Sequence, residues 1–319
     1  MEQALLLATP AFVPTPDLAY SEGEMLHFTE EDVQRMLPMD EAIRCMREVF
    51  TALGKGEAQN QPRRRLALPA GSMLHSMAGS FGNYFGTKIY STNPKHGAWF
   101  TFLLYDAETA KPLAEFEANH LGQIRTGAAS GLAVDLLTHP LSGKVGIIGS
   151  GFQAQTQLDA VRAVREIRSV KVWSRSEEKR HQFAAANSAV ATKYAEEAIE
   201  DADIVITATS SKDPVLESDW VSRPVLVSAM GANHANRREL PSDLVRSADR
   251  IVVDSLEQAR LEAGDLLLAL DGRDWNKVTE LATVAQHDGS PVTGLTIFKS
   301  VGLGVEDVAV AAYIYERYS

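Results

Sequence analysis

The spacing of hydrophobic residues changes character near residue 138. In the first part, a strand candidate at residues 25–28 precedes a helix that Thr29 would cap, with acidic residues in its first turn. Short β-prone runs separated by turns follow at residues 65–68, 73–77, 84–90, 99–105 and 112–117. One face of the predicted helix carries Met36, Ile43, Met46, Val49 and Phe50. This pattern predicts a first domain with a helix and a mainly antiparallel sheet.

After Pro140 the pattern alternates between strand-like and helical segments. The strand-like runs lie at residues 145–148, 170–173, 203–207, 225–230 and 250–254. Such alternation predicts right-handed crossovers and a parallel sheet with helices on both faces. Between the two patterns, residues 124–137 form a predicted helix rich in small residues, which would let a backbone or a flat ligand come close. The chain ends in a further predicted helix after residue 296.

Composition limits the classes of function. A chain of 319 residues is long enough for two domains, and 45% hydrophobic with 23% charged residues is typical of a soluble globular protein. The net charge of −11 argues against nucleic acid as a partner, because no excess of Lys and Arg is available to neutralise phosphates. The single cysteine, Cys45, excludes an internal disulfide and a multi-cysteine metal site and favours a reducing compartment. We expect no metal, and a packing role for Cys45.

The amino-terminal residues show no targeting signal. Glu2 precedes a small apolar patch, and no basic start or long apolar segment follows. No window approaches the roughly 20 apolar residues that a membrane span needs. Residues 10–24 carry three prolines and no periodic apolar pattern, so we interpret residues 1–24 as an extended arm. We therefore expect a cytoplasmic protein without a membrane partner.

The stretch VGIIGSGFQAQ at residues 145–155 matches a dinucleotide-binding loop. Gly149, Gly151 and Ala154 occupy the three positions of the G-x-G-x-x-G/A pattern. Such glycines alone are a weak signal, and the alternative is a structural turn without a ligand. Here a strand precedes the loop, a helix follows it, and a second strand ends about 20 residues later. The glycines would allow the tight turn and a close approach of the pyrophosphate, which the amino end of the helix would face.

The end of the second strand indicates which dinucleotide binds. NAD-binding folds usually carry Asp or Glu there, to accept hydrogen bonds from the ribose 2′-hydroxyl. This chain has Ser174, Arg175 and Ser176, so no carboxylate would repel a 2′-phosphate, and the guanidinium of Arg175 is suited to binding it. If Arg175 faces only solvent, NAD(H) is the alternative to the preferred NADP(H). The predicted cofactor-binding residues are Thr126, Gly149, Gly151, Phe152, Gln153, Ala154, Ser174, Arg175, Ser176, Thr207 and Met230.

Six ordered stretches resemble the ornithine cyclodeaminase/μ-crystallin family. They are QPRRR near residue 61, YFGTKIYSTNPKHG, FEANHLGQIRTGAASGLA, GSGFQAQ, SAMGANHANRREL and TIFKSVGLGVED. The resemblance implies an α/β fold in which a Rossmann domain is inserted into an α+β substrate-binding and dimerisation domain. The implied boundaries are residues 25–138 plus 299–319 for the α+β domain and residues 139–298 for the Rossmann domain. It also implies a homodimer.

The resemblance further implies a site for an α-amino or α-imino acid whose carboxylate is held by basic side chains. The matching residues are Lys88 in GTK, Arg125 in QIRTG and one arginine of residues 63–65. Arg64 is the expected one, because the family pattern is Pro, one residue, then Arg, counted from Pro62, although a register one residue away stays open. Three cations on one carboxylate would fix orientation and exclude uncharged amines. Taken singly, each would by default be a solvent-facing charge.

One position departs from the cyclodeaminase pattern. Where cyclodeaminases carry an aspartate that handles protons and the substrate amine, this chain has Asn233. An asparagine amide does not titrate and cannot act as a general base. Reduction of an imine needs one hydride and one proton, and Lys88 is the expected proton donor or iminium-orienting group. Lys88 and Asn233 are thus the expected catalytic positions, whereas His75 and His234 are interpreted as structural or peripheral.

These residues favour an NAD(P)H-dependent reductase of cyclic imino acids of the pyrroline- or piperideine-2-carboxylate type. One alternative is an ornithine cyclodeaminase that converts L-ornithine to L-proline and ammonia, which Asn233 and the Ser174–Arg175 pair disfavour. The others are an amino acid dehydrogenase and a non-catalytic, NADPH-binding, crystallin-like protein, against which the basic cluster argues. In each case the expected partner is a small imino or amino acid.

Overall fold

The computed structural model describes residues 25–222, 224–287, 291 and 293–318. The extended arm that the sequence predicts at residues 1–24 lies outside the described residues. Within the described ranges, no helix combines the length and the apolar character needed to cross a membrane. The strands of these ranges form two sheets, one from each half of the chain.

The first sheet has six strands in the order β1-β6-β5-β4-β3-β2. All neighbours are antiparallel except β1 and β6. The bounds are β1 (Leu26–Phe28), β2 (Ala58–Ala67), β3 (Met73–Phe81), β4 (Tyr84–Asn93), β5 (Gly97–Asp106) and β6 (Pro112–Glu117). The mainly antiparallel sheet is confirmed. The largest difference from the prediction is in β2. The first half of this strand is polar, has no alternation of apolar residues and was not predicted to be a strand.

Three helices of the first half pack with this sheet: α1 (Glu30–Met36), α2 (Met39–Lys55) and α3 (Ala118–Leu137). Thr29 caps α1 as predicted, because its hydroxyl accepts from the backbone N–H of Asp32 while the Asp32 carboxylate accepts from the backbone N–H of Thr29. The sequence predicts one helix over this region, but there are two. Pro38 separates them, since it has no N–H to continue a helix.

The second sheet has eight parallel strands in the order β13-β12-β14-β11-β10-β7-β8-β9. The bounds are β7 (Lys144–Ile148), β8 (Ser169–Trp173), β9 (Val190–Ala191), β10 (Ile204–Thr207), β11 (Val225–Ala229), β12 (Arg250–Val253), β13 (Val278–Glu280) and β14 (Leu295–Lys299). The five predicted strands and their parallel arrangement are confirmed. The sequence does not predict β9, β13 or β14, although β14 lies between β11 and β12 in the middle of the sheet.

Helices lie on both faces of the second sheet, as two hydrophobic cores show. They are α4 (Phe152–Val164), α5 (Glu177–Asn187), α6 (Ala195–Ile199), α7 (Ser242–Ser247), α8 (Leu256–Glu262), α9 (Gly264–Leu267) and α10 (Leu281–Ala285). The final helix, α11 (Gly304–Tyr318), returns to the first sheet and packs on β3 and β4. The chain thus has the α/β fold that the sequence predicts.

Close packing of α3 links the two sheets. A Cβ atom on Gly127 would lie 2.6 Å from Cγ2 of Thr156 on α4, and one on Gly131 would lie 2.8 Å from Cδ1 of Ile43 on α2. The small residues of α3 therefore serve helix packing on two sides. In the second sheet, β7 lies between β8 and β10, so the order of connection reverses beside β7. Ligands of such sheets bind at the carboxyl ends of the strands at this point.

Candidate active site

The glycine loop joins β7 to α4 and borders a large cleft. Gly149 has a φ of 123°, which other residues rarely adopt. A Cβ atom on Gly149 would lie 2.4 Å from the carbonyl oxygen of Ala208, whereas one on Gly151 would meet no atom within 4 Å. The space beside Gly151 and the amino end of α4 therefore fits a pyrophosphate.

The end of β8 lies beside this loop. Ser150 Oγ donates a hydrogen bond of 2.8 Å to Ser174 Oγ, which donates to the carbonyl oxygen of Ser176 at 3.1 Å. Ser176 also caps α5, because its hydroxyl accepts from the backbone N–H of Lys179. These hydrogen bonds hold the backbone that follows β8 against the glycine loop.

Three exposed cations border the cleft at this strand end: Arg175, Lys179 on α5, and Lys193 after β9. Glu177 and Glu178 lie in the first turn of α5 and do not line the cleft. The sequence analysis missed Lys179 and Lys193, because both lie outside the glycine motif. Together the three cations make this end of the cleft suited to a phosphate group.

The first sheet contributes a buried pair of cations to the same cleft. Lys88 on β4 is 3% exposed, and its Nζ lies 3.0 Å from Oδ1 of Asp307 on α11. Arg125 on α3 donates from Nη1 to Glu306 Oε2 at 2.7 Å and from Nε to Asp307 Oδ1 at 3.3 Å. A Cβ atom on Gly122 would lie 2.2 Å from Lys88 Nζ, so this glycine leaves the space that the ammonium occupies.

The third cation of this cluster is Arg63, which corrects the prediction of Arg64. Arg63 is buried, lines the cleft and forms an ion pair with Glu262 on α8. Arg64 is exposed and does not line the cleft. The pairing of β2 with β3 shifts register between Gln61 and Arg64. A strand irregularity of this kind changes which side chain points inward, so counting along the sequence chose the wrong arginine.

Burial and neighbouring charges set the ionisation of the cluster. Burial lowers the pKa of Lys88 to about 8, although the carboxylate of Asp307 opposes this shift. Burial raises the pKa of Glu306 to about 7, against the opposing charge of Arg125. Burial also disfavours the charge of Arg125, but Asp307 and Glu306 together hold its pKa above the ordinary value. Near neutral pH, Lys88 can therefore exchange a proton while Arg125 stays a cation.

A buried acidic residue holds the two loops that follow β10 and β11. Glu239 accepts hydrogen bonds of 2.7 Å from the backbone N–H groups of Thr209 and Gly231, and one of 3.0 Å from the Thr207 hydroxyl. Thr209 and Gly231 line the cleft, whereas Thr207 does not. Asn233, two residues beyond Gly231, lines the cleft as predicted. Thr207 therefore contacts Glu239 behind these two loops and not the cleft itself, which corrects its predicted place on the cofactor surface.

Met77, Tyr90 and Phe100 form an apolar wall beside Lys88. The rings of Tyr90 and Phe100 stack with centroids 5.0 Å apart, and Lys88 Nζ lies 5.6 Å from the Phe100 centroid. His75 stacks on the far side of Tyr90 and does not line the cleft. Burial lowers the pKa of His75 to about 4, with Arg65 also opposing its charge, so it is neutral near pH 7. These contacts favour the structural interpretation of His75.

One cleft of about 1270 Å³ contains nearly all the predicted positions. Ala154 is buried in α4, where its small side chain suits close packing of helix and strand. Gln123, which the sequence analysis missed, lines the cleft and donates from Nε2 to the carbonyl oxygen of Phe152 at 2.8 Å. The predicted residues that line the cleft are Lys88, Arg125, Thr126, Gly149, Gly151, Phe152, Gln153, Ser174, Arg175, Ser176, Met230 and Asn233.

Comparison with known proteins gives concordant matches. A model of the ornithine cyclodeaminase/mu-crystallin family matches residues 24–319. The Delta(1)-pyrroline-2-carboxylate reductase of Bacillus cereus is 36% identical over 231 residues, which cover 67% of this chain and 70% of that protein. The Thermococcus litoralis Delta(1)-pyrroline-2-carboxylate reductase, solved with NADH and L-proline, has a TM-score of 0.85 and 29% identity, with 92% and 97% of the two chains covered. An archaeal alanine dehydrogenase dimer with bound NAD has a TM-score of 0.85 and 32% identity, with 92% and 95% covered.

Proposed function

The chain belongs to the ornithine cyclodeaminase/mu-crystallin family, and we propose that it is an NAD(P)H-dependent reductase of cyclic imino acids. The observation that carries the proposal is the single cleft in which a dinucleotide loop and the cations Arg63, Lys88 and Arg125 meet. A cleft of this kind suits a nicotinamide cofactor beside a substrate carboxylate. The relatives named Delta(1)-pyrroline-2-carboxylate reductase support the same chemistry. When bound, the cofactor supplies the hydride.

The protein's own residues bind the acid and supply a proton. Arg63 and Arg125 hold the substrate carboxylate, because both are largely buried cations whose side chains line the cleft. Lys88 donates a proton from Nζ to the imine nitrogen, and its lowered pKa makes this transfer accessible near neutral pH. Tyr90 and Phe100 pack against the ring carbons and exclude water from the reacting bond.

The charges around the cleft disfavour ornithine as the substrate. Ornithine carries a second ammonium group, which needs a carboxylate partner when it is desolvated. Among the described residues that line the cleft, the acidic ones are Glu196 and Glu217, and both belong to the second half of the chain rather than to the wall beside Lys88. Asn233 stands where a cyclodeaminase needs a titratable group. A reductase needs neither group.

An amino acid dehydrogenase is the second candidate. The similarity to an archaeal alanine dehydrogenase favours it, since 92% of this chain is covered at 32% identity. Such an enzyme would use the same cations for the carboxylate of an open-chain substrate. The apolar wall of Met77, Tyr90 and Phe100 favours the cyclic substrate instead, because a ring covers more of this surface than a methyl group does.

A screen of substrates tests the proposal. The purified protein is given NADPH or NADH with Δ1-pyrroline-2-carboxylate, Δ1-piperideine-2-carboxylate, or pyruvate plus ammonia, and cofactor oxidation is followed. Ammonia release from L-ornithine is measured in parallel. We expect the cyclic imines to give the highest kcat/KM. Rapid conversion of ornithine to proline and ammonia would contradict the reductase assignment, and a preference for pyruvate plus ammonia would favour the dehydrogenase.

NADP(H) is the proposed cofactor. Residues 174–176, directly after β8, include no acidic residue, and the cations Arg175, Lys179 and Lys193 border the cleft beside them. A 2′-phosphate carries negative charge that these groups can bind, and the ribose hydroxyl of NAD(H) gives them no comparable partner. The carboxylates of Glu177 and Glu178 belong to α5 and lie outside the cleft.

Replacing Arg175 with Ala is expected to weaken NADPH binding by roughly 10- to 100-fold and to leave NADH affinity nearly unchanged, because only NADPH loses a charge-assisted contact. Fluorescence titration with each cofactor measures both affinities. Arg168→Ala is the matched control, since Arg168 is exposed, pairs with Asp203 and does not line the cleft. Equal losses for the two cofactors would show that Arg175 does not recognise the 2′-phosphate.

A homodimer is proposed through the outer face of the first sheet. Leu66, Leu74, Ile89 and Trp99 are 60%, 42%, 41% and 61% exposed. The pairings of β2, β3, β4 and β5 place them on the face opposite to Lys88. Several large exposed apolar side chains on one sheet face favour burial against a second copy, and the related archaeal alanine dehydrogenase is a dimer. Sedimentation of a species near twice the chain mass of 34.7 kDa tests this assignment.

A further inference from the structure

Cations and carboxylates are equal in number in the group of charged side chains around the proposed carboxylate site. The cations are Arg63, Lys88 and Arg125, which line the cleft, and Arg65, which shares Glu262 with Arg63; the carboxylates are Asp254, Glu262, Glu306 and Asp307. His75 packs on the same sheet but is neutral near pH 7. With all eight groups ionised, a substrate carboxylate would add an uncompensated negative charge to a buried region, which is costly.

Two of the four carboxylates have two cationic partners each, and a third has backbone partners. Asp307 Oδ1 faces two cations, and Glu262 faces two others. Asp254 has no cationic partner among the described residues, but it accepts hydrogen bonds of 2.6 Å and 2.7 Å from the backbone N–H groups of Val301 and Gly302. Burial raises the pKa of Asp254, but no hydrogen bond or ion pair joins Asp254 to Arg125 among the described residues. An anion on Arg125 would therefore act directly on Glu306 and Asp307, which both contact this guanidinium.

Glu306 has one cationic contact among the described residues, the ion pair with Arg125. It is fully buried, and its Oε2 accepts from Arg125 Nη1 at 2.7 Å, with weaker support from the backbone N–H of Leu303. Its Oε1 has no hydrogen-bond partner among the described residues. The charges of Asp254 and Asp307 oppose its ionisation. If an anion drew Arg125 away, Glu306 would therefore lose the cation that it contacts, whereas Asp307 would keep Lys88.

The partner of Glu306 is also a group that a substrate would contact. Arg125 lines the cleft, and a Cβ atom on Gly302, whose φ is 81°, would lie 2.4 Å from Arg125 Nη1. The guanidinium thus lies in a space kept open by glycine, between the cleft and Glu306. An anion bound to Arg125 would share this cation with Glu306 and would repel the Glu306 carboxylate.

We propose that Glu306 takes up one proton when a substrate carboxylate binds Arg125, so that the buried site stays neutral. This inference rests on the proposed function, because it assumes that Arg125 receives the carboxylate. The proton comes from solvent, it forms an O–H bond on Glu306, and no bond of the substrate changes. The pKa of about 7 supports the inference, since a further small rise protonates Glu306 near neutral pH.

The direction of the pH dependence follows from the charges. Bound carboxylate raises the pKa of Glu306, so binding takes up protons above about pH 7 and weakens as the pH increases. Lys88 has the same sign of effect, but its pKa of about 8 places its contribution at higher pH. Measurement at about pH 7.5 separates the two groups, because Glu306 is then mostly ionised and Lys88 is still mostly protonated.

Calorimetry tests the inference with pyrrole-2-carboxylate, a planar carboxylate that has no imine to reduce. It is titrated into the NADPH-loaded protein at about pH 7.5 in buffers of different ionisation enthalpy, which gives the number of protons taken up. We expect about one proton per bound carboxylate in the unmodified protein and about a quarter of a proton in Glu306→Gln. In Lys88→Arg, where the cation does not titrate, most of the uptake should persist.

Uptake near zero in the unmodified protein, or equal uptake in Glu306→Gln, would overturn the inference. If Glu306→Gln does not fold, the unmodified protein alone decides: its affinity should fall about fourfold between pH 6.5 and 7.5, and a constant affinity contradicts us. Absence of carboxylate binding would overturn it as well. Failure of the proposed function looks different, because carboxylates would then bind with proton uptake while no cyclic imine is reduced.

Discussion

Replacement of Lys88 with Met is expected to lower kcat for a cyclic imino acid by roughly 10²- to 10⁴-fold, the range of general acid catalysis. Methionine fills the buried space beside Phe100 but offers no proton to the imine nitrogen. Asp307 would lose one of its two cations and keep Arg125. NADPH affinity should change little, since Lys88 lies on β4 and the cofactor loop lies on the second sheet. Steady-state NADPH oxidation and a separate cofactor titration measure the two effects.

Two variants separate proton donation from carboxylate binding. Lys88→Arg keeps the cation, so KM should recover in part, but kcat should stay low because a guanidinium does not release its proton near neutral pH. Arg125→Ala should mainly raise KM, since it removes a charged partner of the carboxylate. A Lys88→Met enzyme whose kcat stays within tenfold of the unmodified value would exclude Lys88 as the donor.

The pH profile gives an independent check on the same residue. The pKa of Lys88 is lowered to about 8, so its ammonium is present below that pH and is lost above it. We therefore expect kcat/KM to fall as the pH rises through about 8, since both the proton and one carboxylate partner disappear. Lys88→Arg should lose the part of the decline that Lys88 causes near pH 8 and keep the part that Glu306 causes from about pH 7, although its rate is low throughout.

Local sequence rules were sufficient to place the glycine loop and the end of β8 together. The glycine positions and the residues after β8 lie within about 30 residues of one another along the chain. Gly149 needs its positive φ and Gly151 its open space for reasons that a turn pattern already contains. The same locality explains why five strands of the second sheet were predicted correctly, whereas β14 was not. The residues of β14 come shortly before the last helix, so the sequence pattern predicts a single final segment and does not separate the strand from the helix.

The end of the cleft that contains Lys88 depends on contacts between distant parts of the chain. Lys88 and Asp307 are 219 positions apart, and Arg63 and Glu262 are 199 apart. No periodicity connects such residues, so the acidic partners on α8 and α11 could not be predicted from sequence. The choice between Arg63 and Arg64 depended on a register shift in β2, which is set by its pairing with β3.

Substitution of Gly151 by Val is expected to abolish cofactor binding while the fold persists. A Cβ atom at this position meets no atom of the protein within 4 Å, so the side chain causes no clash within the chain. The branched side chain would instead fill the space beside the amino end of α4, where the pyrophosphate has to approach the backbone. Titration with NADPH and NADH should show no saturable binding of either. Thermal unfolding without cofactor should be close to that of the unmodified protein.

Two other glycine substitutions make this result specific. Gly151→Ala adds one methyl group in the same open space and should weaken binding less than Val does, in proportion to the volume added. Gly149→Ala should fail differently, because its φ is 123° and its Cβ would lie 2.4 Å from the carbonyl oxygen of Ala208, so the loop itself must distort and thermal stability should fall. Retained NADPH affinity in Gly151→Val would mean that the pyrophosphate does not lie at this loop. A loss of folding in Gly151→Val as large as that in Gly149→Ala would instead contradict the open space beside Gly151.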